Sequence, residues 1–348
     1  MEIQENIALA PLTTLRVGGS ARYFACAGSV EDVEAAVRFA DDKNLPMFVL
    51  GGGSNVLISD NGWPGLVLQI GIFGIDHTHE RQTIRLITGA GEDWDSFVAF
   101  CVKRHLAGLE CLSGIPGTVG ATPVQNVGAY GQEVSQTIAS LLVLDGNDKQ
   151  VREMDAADCG FAYRRSIFNT RERGRYIILR VTYELRAGGA PNLHYADLQK
   201  YFDGRTETPT LAEVRTAVLE IRASKGMLIT PGDPDSRSAG SFFKNPLLTT
   251  TQFDDLLRKA HEKNLQVPSY PAPSQQKKLS AAWLVENSGF TKGYVKGRAG
   301  ISSKHALALV NRGGATAAEI AALRDEIQQR VEQQWGVKLE PEPVLVGF

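Results

Sequence analysis

The sequence is short of the features that mark whole classes of protein. Its four cysteines, Cys26, Cys101, Cys111 and Cys159, form no Cys-x-x-Cys and have no histidines at metal-ligating spacing. A chain of 348 residues needs no disulfide framework, so they read as lone buried thiols in a reduced compartment, and no metal is expected. No run approaches the ~18–20 uninterrupted apolar residues that cross a bilayer. The start, Met1-Glu2-Ile3-Gln4-Glu5-Asn6, lacks the basic region and apolar stretch of a signal peptide. A cytoplasmic protein with no membrane partner is the expectation. An excess of one charge is missing too. The 37 basic and 39 acidic side chains leave a net charge of −2, which cannot draw phosphate backbones and excludes general nucleic-acid binding.

Glycine is what the sequence has in excess: 35 residues, about one in ten, against ~7% in ordinary proteins. The length suits two or three domains. The 43% apolar content excludes disorder. The first half alternates strand and helix patterns. Strands are expected at 22–27, 47–50, 66–70, 83–87 and 176–183, with a hairpin turning at Asp145-Gly146-Asn147. Helical spacing of apolar residues follows Ser29, runs from Glu92 to Leu106, and recurs at 211–224, 250–264, 280–288 and 315–335. A strand at 306–310 intervenes, and the Pro- and Gly-containing stretch 230–238 is a candidate boundary.

Two glycine clusters carry chemistry. Gly51-Gly52-Gly53-Ser54-Asn55 follows a short strand, where glycines let backbone amides approach an anion and Ser54 and Asn55 add donors. It is neither a Walker loop nor a Rossmann fingerprint, and a plain tight turn is the bland alternative. The second cluster is Ser113-Gly114-Ile115-Pro116-Gly117-Thr118-Val119-Gly120, continuing through Gln125, Asn126, Gly128, Ala129, Tyr130 and Gly131. So long an irregular segment inside a domain is usually functional. Pro116 stiffens it, and Gln125, Asn126 and Tyr130 offer polar and aromatic contacts. Two such loops suit an extended dinucleotide.

These segments resemble the FAD-binding domain of vanillyl-alcohol-oxidase-type flavoproteins. Together with Tyr163-Arg164-Arg165-Ser166, Ala239-Gly240-Ser241-Phe242-Phe243-Lys244-Asn245-Pro246 and Leu339-Glu340-Pro341-Glu342, the whole chain is similar to the UDP-N-acetylenolpyruvoylglucosamine reductases in their longer, type I form. The resemblance implies an α+β fold: a two-part FAD-binding domain and a smaller α+β substrate-binding domain. Its parts are residues 1–70 joined by the tail 336–348, then 71–228 with a tyrosine loop near 195, then 229–335. It also implies non-covalent FAD, NADPH as reductant, a UDP-sugar substrate, a monomer, and a place in peptidoglycan precursor synthesis. FAD contacts fall on Gly51, Gly52, Gly53, Ser54, Asn55, Ser113, Gly114, Ile115, Pro116, Gly117, Gly120, Gln125, Asn126, Gly128 and Ala129.

Reduction of an enolpyruvyl ether places negative charge on the carbon that bears the carboxylate, so fixed donors and a proton source are required. The resemblance gives the charge to Arg164, whose guanidinium meets a carboxylate in a two-point fork. It makes Ser241 the proton donor. Glu342 has a role there only as a protonated carboxyl that donates a hydrogen bond, and the tail must return to bring it beside its partners. Tyr195, Lys225, Asn245, His305 and Tyr130 are the implied substrate contacts. Two rivals remain: a flavin oxidase of the same fold, and a nucleotide-binding module without catalysis.

Overall fold

Ser29 is extended, and its hydroxyl accepts from the N–H of Asp32, which starts the helix Val30–Asp42 with Glu31 and Asp32 in the first turn. That helix buries Val33, Ala36, Val37 and Ala40, one face at helical spacing. It connects two strands of one sheet in the order Ile3–Ala8, Ser20–Ala27, Trp63–Ile70, Met47–Leu50. The last three are parallel, and the first is antiparallel to its neighbour. The computed structural model describes residues 1–80, 83–272 and 275–348. These separate into unit 1 (Met1–Ala8, Ser20–Gly53, Trp63–Leu228) and unit 2 (Leu9–Gly19, Ser54–Gly62, Ile229–Phe348).

Unit 1 carries a second sheet, antiparallel throughout, in the order Val151–Asp155, Ile138–Asp145, Tyr176–Ala187, Thr83–Gly89, Ile75–Glu80. Its hairpin turns at Asp145, whose carboxylate takes a two-point fork from Arg175 and the N–H of Asn147. Asp93 caps the helix Trp94–Lys103. The rings of Trp94, Phe97 and Tyr183 pack with centroids 5.0–6.1 Å apart. This core holds the second glycine segment: Trp94 Nε1 donates to the carbonyl of Leu112, and Tyr183 Oη meets Thr122 Oγ1 at 3.2 Å.

Unit 2 has a four-stranded antiparallel sheet in the order Ser238–Ser241, Ala308–Asn311, Ala299–Ile301, Val295–Lys296. The helix Ala317–Trp335 lies with its core. Thr316 and Glu319 form a capping box at its start, and both oxygens of Asp60 accept from the N–H groups of Ala317 and Ala318. A small sheet pairs Leu247–Leu248, Lys277–Leu279 and Ser269–Pro271. The tail strand Val344–Val346 runs parallel to Val56–Ile58.

The fold is α+β, with three sequence segments expected and two units found by contact. Unit 1 nonetheless holds one sheet built from residues before 71 and one from residues after it. The helix expected at 211–224 is Leu211–Ser224, and the strand expected at 47–50 is Met47–Leu50. One reading is corrected. Cys101, Cys111 and Cys159 are buried, but Cys26 is exposed, because the alternation along Ser20–Ala27 turns it outward. Burial raises the Cys159 thiol to about 12, so it is inert as a nucleophile. No helix among the described residues is long and apolar enough to cross a membrane.

Candidate active site

In unit 1 the two glycine clusters touch each other. A methyl group on Gly52 would stand 2.6 Å from the Cα of Gly117, and one on Gly51 would stand 3.0 Å from Thr118 Oγ1 and Ala121 Cβ. One on Gly120 would meet Ala90 Cβ at 2.5 Å. These glycines therefore let backbone approach backbone, as well as a ligand. The N–H groups of Gly52, Gly53, Ile115 and Gly117 donate to no protein acceptor among the described residues. A concentration of unused backbone donors, with Gly53 at φ +64°, fits the pyrophosphate of a dinucleotide such as FAD.

Other residues of the segment are occupied internally. Ser113 is fully buried and its hydroxyl donates to the carbonyl of Glu110. Gly114, at φ +71°, donates its N–H to Asp95. Burial works against ionisation of Asp95, but the fork from Arg215 and this N–H outweigh it and hold the carboxyl below its ordinary value. Asn126 is buried: its amide donates to Glu133 and the carbonyl of Ala162, and its oxygen accepts from the N–H of Ser135. The side chains of Ser113 and Asn126 therefore shape the segment on which the cofactor contacts are expected. Pro116 and Gln125 are half-buried on the same path, and Ala129 pairs with Gln132 in a short ladder.

The Tyr163–Ser166 motif is a hairpin pinned to that segment. Ala162 and Arg165 bridge each other, with Arg164 at the left-handed φ of +55°. Arg164 Nη2 donates to the carbonyl of Gly128 at 2.7 Å, and Ser166 Oγ donates to that of Val124 at 2.6 Å. A methyl on Gly128 would meet Glu133 Cγ at 2.7 Å, the carbonyl of Gln132 at 2.8 Å and Arg164 Nη1 at 3.1 Å, so the glycine makes room for all three. Arg165 is exposed.

A third cluster of unit 1 joins Tyr130, Tyr195 and Lys225. The two tyrosine rings meet edge-on at 5.3 Å, and Lys225 Nζ lies 5.9 Å from the Tyr130 ring. Burial raises the Tyr130 phenol. Tyr195 is exposed and stands at the start of the helix Ala196–Tyr201. Lys225 caps the C-terminus of Leu211–Ser224 and pairs with Asp197 at 2.5 Å. Two neighbours escaped the sequence reading. Asp197 is one, and Arg222 is the other, buried beside Tyr130 with Nη2 donating to the carbonyl of Met227. Arg222 precedes Lys225 by three residues on the same helix, a same-face spacing that could have flagged it.

Unit 2 brings together four of the expected residues. Ser241 ends its strand, and its Oγ lies 2.9 Å from His305 Nε2. Phe242 and Phe243 are buried and pack edge-on at 5.6 Å, core residues as their types suggest. The tail lies alongside them. Phe243 bridges Pro341, Lys244 N–H donates to the carbonyl of Glu340, and Glu342 N–H donates to that of Phe242 at 2.9 Å. Asn55 Nδ2 in turn donates to the carbonyl of Glu342, and Val344 N–H to that of Asn55. Ser241, His305, Glu342 and Asn55 thus belong to one local ladder, with half-buried side chains. Asn245 takes a structural hydrogen bond, its Oδ1 accepting from the N–H of Ala281. Ser54 and Asn55 belong to unit 2, and Gly51–Gly53 and Arg164 to unit 1.

A family model described as FAD binding domain matches residues 21–153, and one described as UDP-N-acetylenolpyruvoylglucosamine reductase, C-terminal domain, matches 233–346. The UDP-N-acetylenolpyruvoylglucosamine reductase of Thermobifida fusca is 46% identical over 348 residues, 98% of this chain and 97% of its own. The chain belongs to the UDP-N-acetylenolpyruvoylglucosamine reductase family. The protein of that name from Saccharopolyspora erythraea is 46% identical over 97% of this chain and 94% of its own. The crystal structure of the Thermus caldophilus reductase gives a TM-score of 0.67 at 25% identity, covering 99% of both chains. The C-terminal match of the reductase family contains Ser241, Asn245, His305 and Glu342, and the FAD-binding match contains both glycine clusters. Arg164, Tyr195 and Lys225 lie outside both.

Proposed function

We propose that this protein is the FAD-dependent reductase that converts the enolpyruvyl ether of UDP-N-acetylglucosamine enolpyruvate to UDP-N-acetylmuramate in peptidoglycan precursor synthesis. The observation that supports the reading is the unit 2 ladder within the reductase-family match, where the chain next to Ser241 pairs with the tail through Glu342 N–H and the carbonyl of Phe242. NADPH is the reductant, the site of action is the cytoplasm, and the enzyme works as a monomer without nucleic-acid or membrane partners. Residues 1–70 with the tail 336–348, and residues 71–228, hold the cofactor; residues 229–335 take the nucleotide sugar.

Bound FAD supplies the chemistry of accepting a hydride from NADPH and delivering one to the vinyl carbon. The backbone donors at Gly52, Gly53, Ile115 and Gly117 hold its diphosphate. Charge then gathers on the substrate carbon next to the carboxylate. Arg164 takes that carboxylate in a fork, its position fixed by Gly128. Glu342 completes the donor set, and Ser241 gives its hydroxyl proton to the carbon. Lys225 takes the nucleotide's phosphates, with Tyr195 and Tyr130 covering the base and sugar.

The test separates the half-reactions under anaerobic conditions. The flavin band should bleach with NADPH and return on addition of the enolpyruvyl nucleotide, faster than on addition of oxygen. Return with oxygen alone identifies an oxidase. A protein that shows no flavin band even after FAD is added is a nucleotide-binding module.

A further inference from the structure

The strand that ends in Ser241 does not run straight. Ser238 faces Val310 and Ser241 faces Ala308, so the register slips between them, and Gly240 absorbs the slip at φ +72°. The bulge re-aims the serine hydroxyl toward His305, with Oγ 2.9 Å from Nε2. The histidine is held from its own side. Ser302 Oγ accepts from the N–H groups of Lys304 and His305, and Ala308 N–H donates to the carbonyl of His305. Ser303 is tied to Asp235 through both its N–H and its hydroxyl, and Lys304 to Asp233. A turn fastened this often fixes a ring for a reason.

Only one tautomer lets Ser241 do the work assigned to it. If Nε2 carried the lone pair, the serine proton would point at the ring and be tied up there. If Nε2 carries the proton, it donates to Oγ, and the serine proton is left to point at substrate. We infer that His305 is a positioning residue, protonated at Nε2, which orients the Ser241 hydroxyl and stabilises the alkoxide that proton donation leaves behind. The inference rests on Ser241 being the proton donor. The step balances: the O–H bond of Ser241 breaks and a C–H bond forms at the anionic substrate carbon. The alkoxide stays hydrogen-bonded to Nε2–H, the ring keeps its proton, and water then returns a proton to Ser241. The aid is of the oxyanion-hole type, a preorganised donor where charge develops.

The experiment compares His305→Gln, His305→Ala and Ser241→Ala as flavin-loaded proteins by anaerobic rapid mixing. Glutamine carries an N–H donor at about the reach of Nε2, and alanine carries none. Reduction by NADPH should stay within about twofold of wild type in all three. Reoxidation by the enolpyruvyl nucleotide should fall about 10²-fold in His305→Ala and recover to within about tenfold in His305→Gln. Wild-type reoxidation in His305→Ala overturns the inference, as does a glutamine variant no faster than alanine. If Ser241→Ala reoxidises at the wild-type rate, the serine assignment itself fails, whatever His305 does. A ¹⁵N NMR spectrum of the wild-type protein provides a check that no variant's folding can confound. An unprotonated Nε2 in the neutral ring overturns the inference.

Discussion

Lys225 Nζ and Asp197 Oδ2 stand 2.5 Å apart, so the ammonium assigned to the substrate's phosphates is already held by a carboxylate two residues beyond Tyr195. Both side chains are partly exposed, and a pair of that kind contributes ~0.2–1 kcal/mol. A diphosphate can therefore displace Asp197 easily, while the helix Ala196–Tyr201 stays anchored by buried Leu198. Asp197→Asn should lower KM for the nucleotide substrate by up to about fivefold. Reduction by NADPH should be unchanged. A raised KM would show that Asp197 presents Lys225 to the substrate instead of competing for it.

The contact between Gly52 and Gly117 gives a second test. Backbone atoms lie where a Gly52 side chain would be, so Gly52→Ala forces a main-chain shift at about 1–3 kcal/mol. Purified Gly52→Ala should carry a lower flavin-to-protein absorbance ratio and melt several degrees lower. Gly28→Ala is the control, since its added methyl meets only Asp32 Oδ2 at 3.8 Å. Wild-type flavin content in Gly52→Ala would mean that the loop accommodates the methyl and that its close approach is not what holds the cofactor.

Much of this is legible in the sequence. Helices announced themselves through one apolar face, as in Leu211–Ser224, and at Ser29 through a cap as well. Short strands without alternation did not. Val56–Ile58 is three residues long and acquires its meaning only from the tail strand, some 290 positions later in the chain, that pairs with it. The site shows the same division. Ser241 and Glu342 stand out by motif, but that His305 meets Ser241 depends on a register slip at Gly240, which no local pattern encodes. Asn126 shows it too, since its side chain also ties down its own loop. A polar residue in a glycine-rich loop serves a ligand or the loop itself, and only its partners decide which.

The acid limb of stability is set partly by Asp145. The Arg175 fork, helped by the N–H of Asn147, holds its carboxyl at about 2. A carboxyl depressed in the folded state stabilises above its unfolded value of ~3.9 and loses that contribution as pH falls toward the folded value. Asp145→Asn should melt roughly 5 °C lower at pH 7. The gap from wild type should close as pH drops from about 4 to 2. A gap of constant size across that range would mean that the hairpin, not the charge, accounts for the loss.

Arg164 and Arg165 sit side by side in sequence but differ in surroundings: one guanidinium is anchored to the carbonyl of Gly128, and the other side chain is exposed. An ammonium at position 164 can meet that carbonyl or a substrate carboxylate, but it cannot reproduce the planar fork. Arg164→Lys should therefore slow flavin reoxidation by the enolpyruvyl nucleotide by about 10²–10³-fold, the cost of one lost donor to a developing oxyanion. Reduction by NADPH should survive. Arg165→Lys should match wild type in both half-reactions. The opposite pattern, with the loss at 165 and none at 164, would move the carboxylate to the other arginine and leave the Gly128 anchor a purely structural contact.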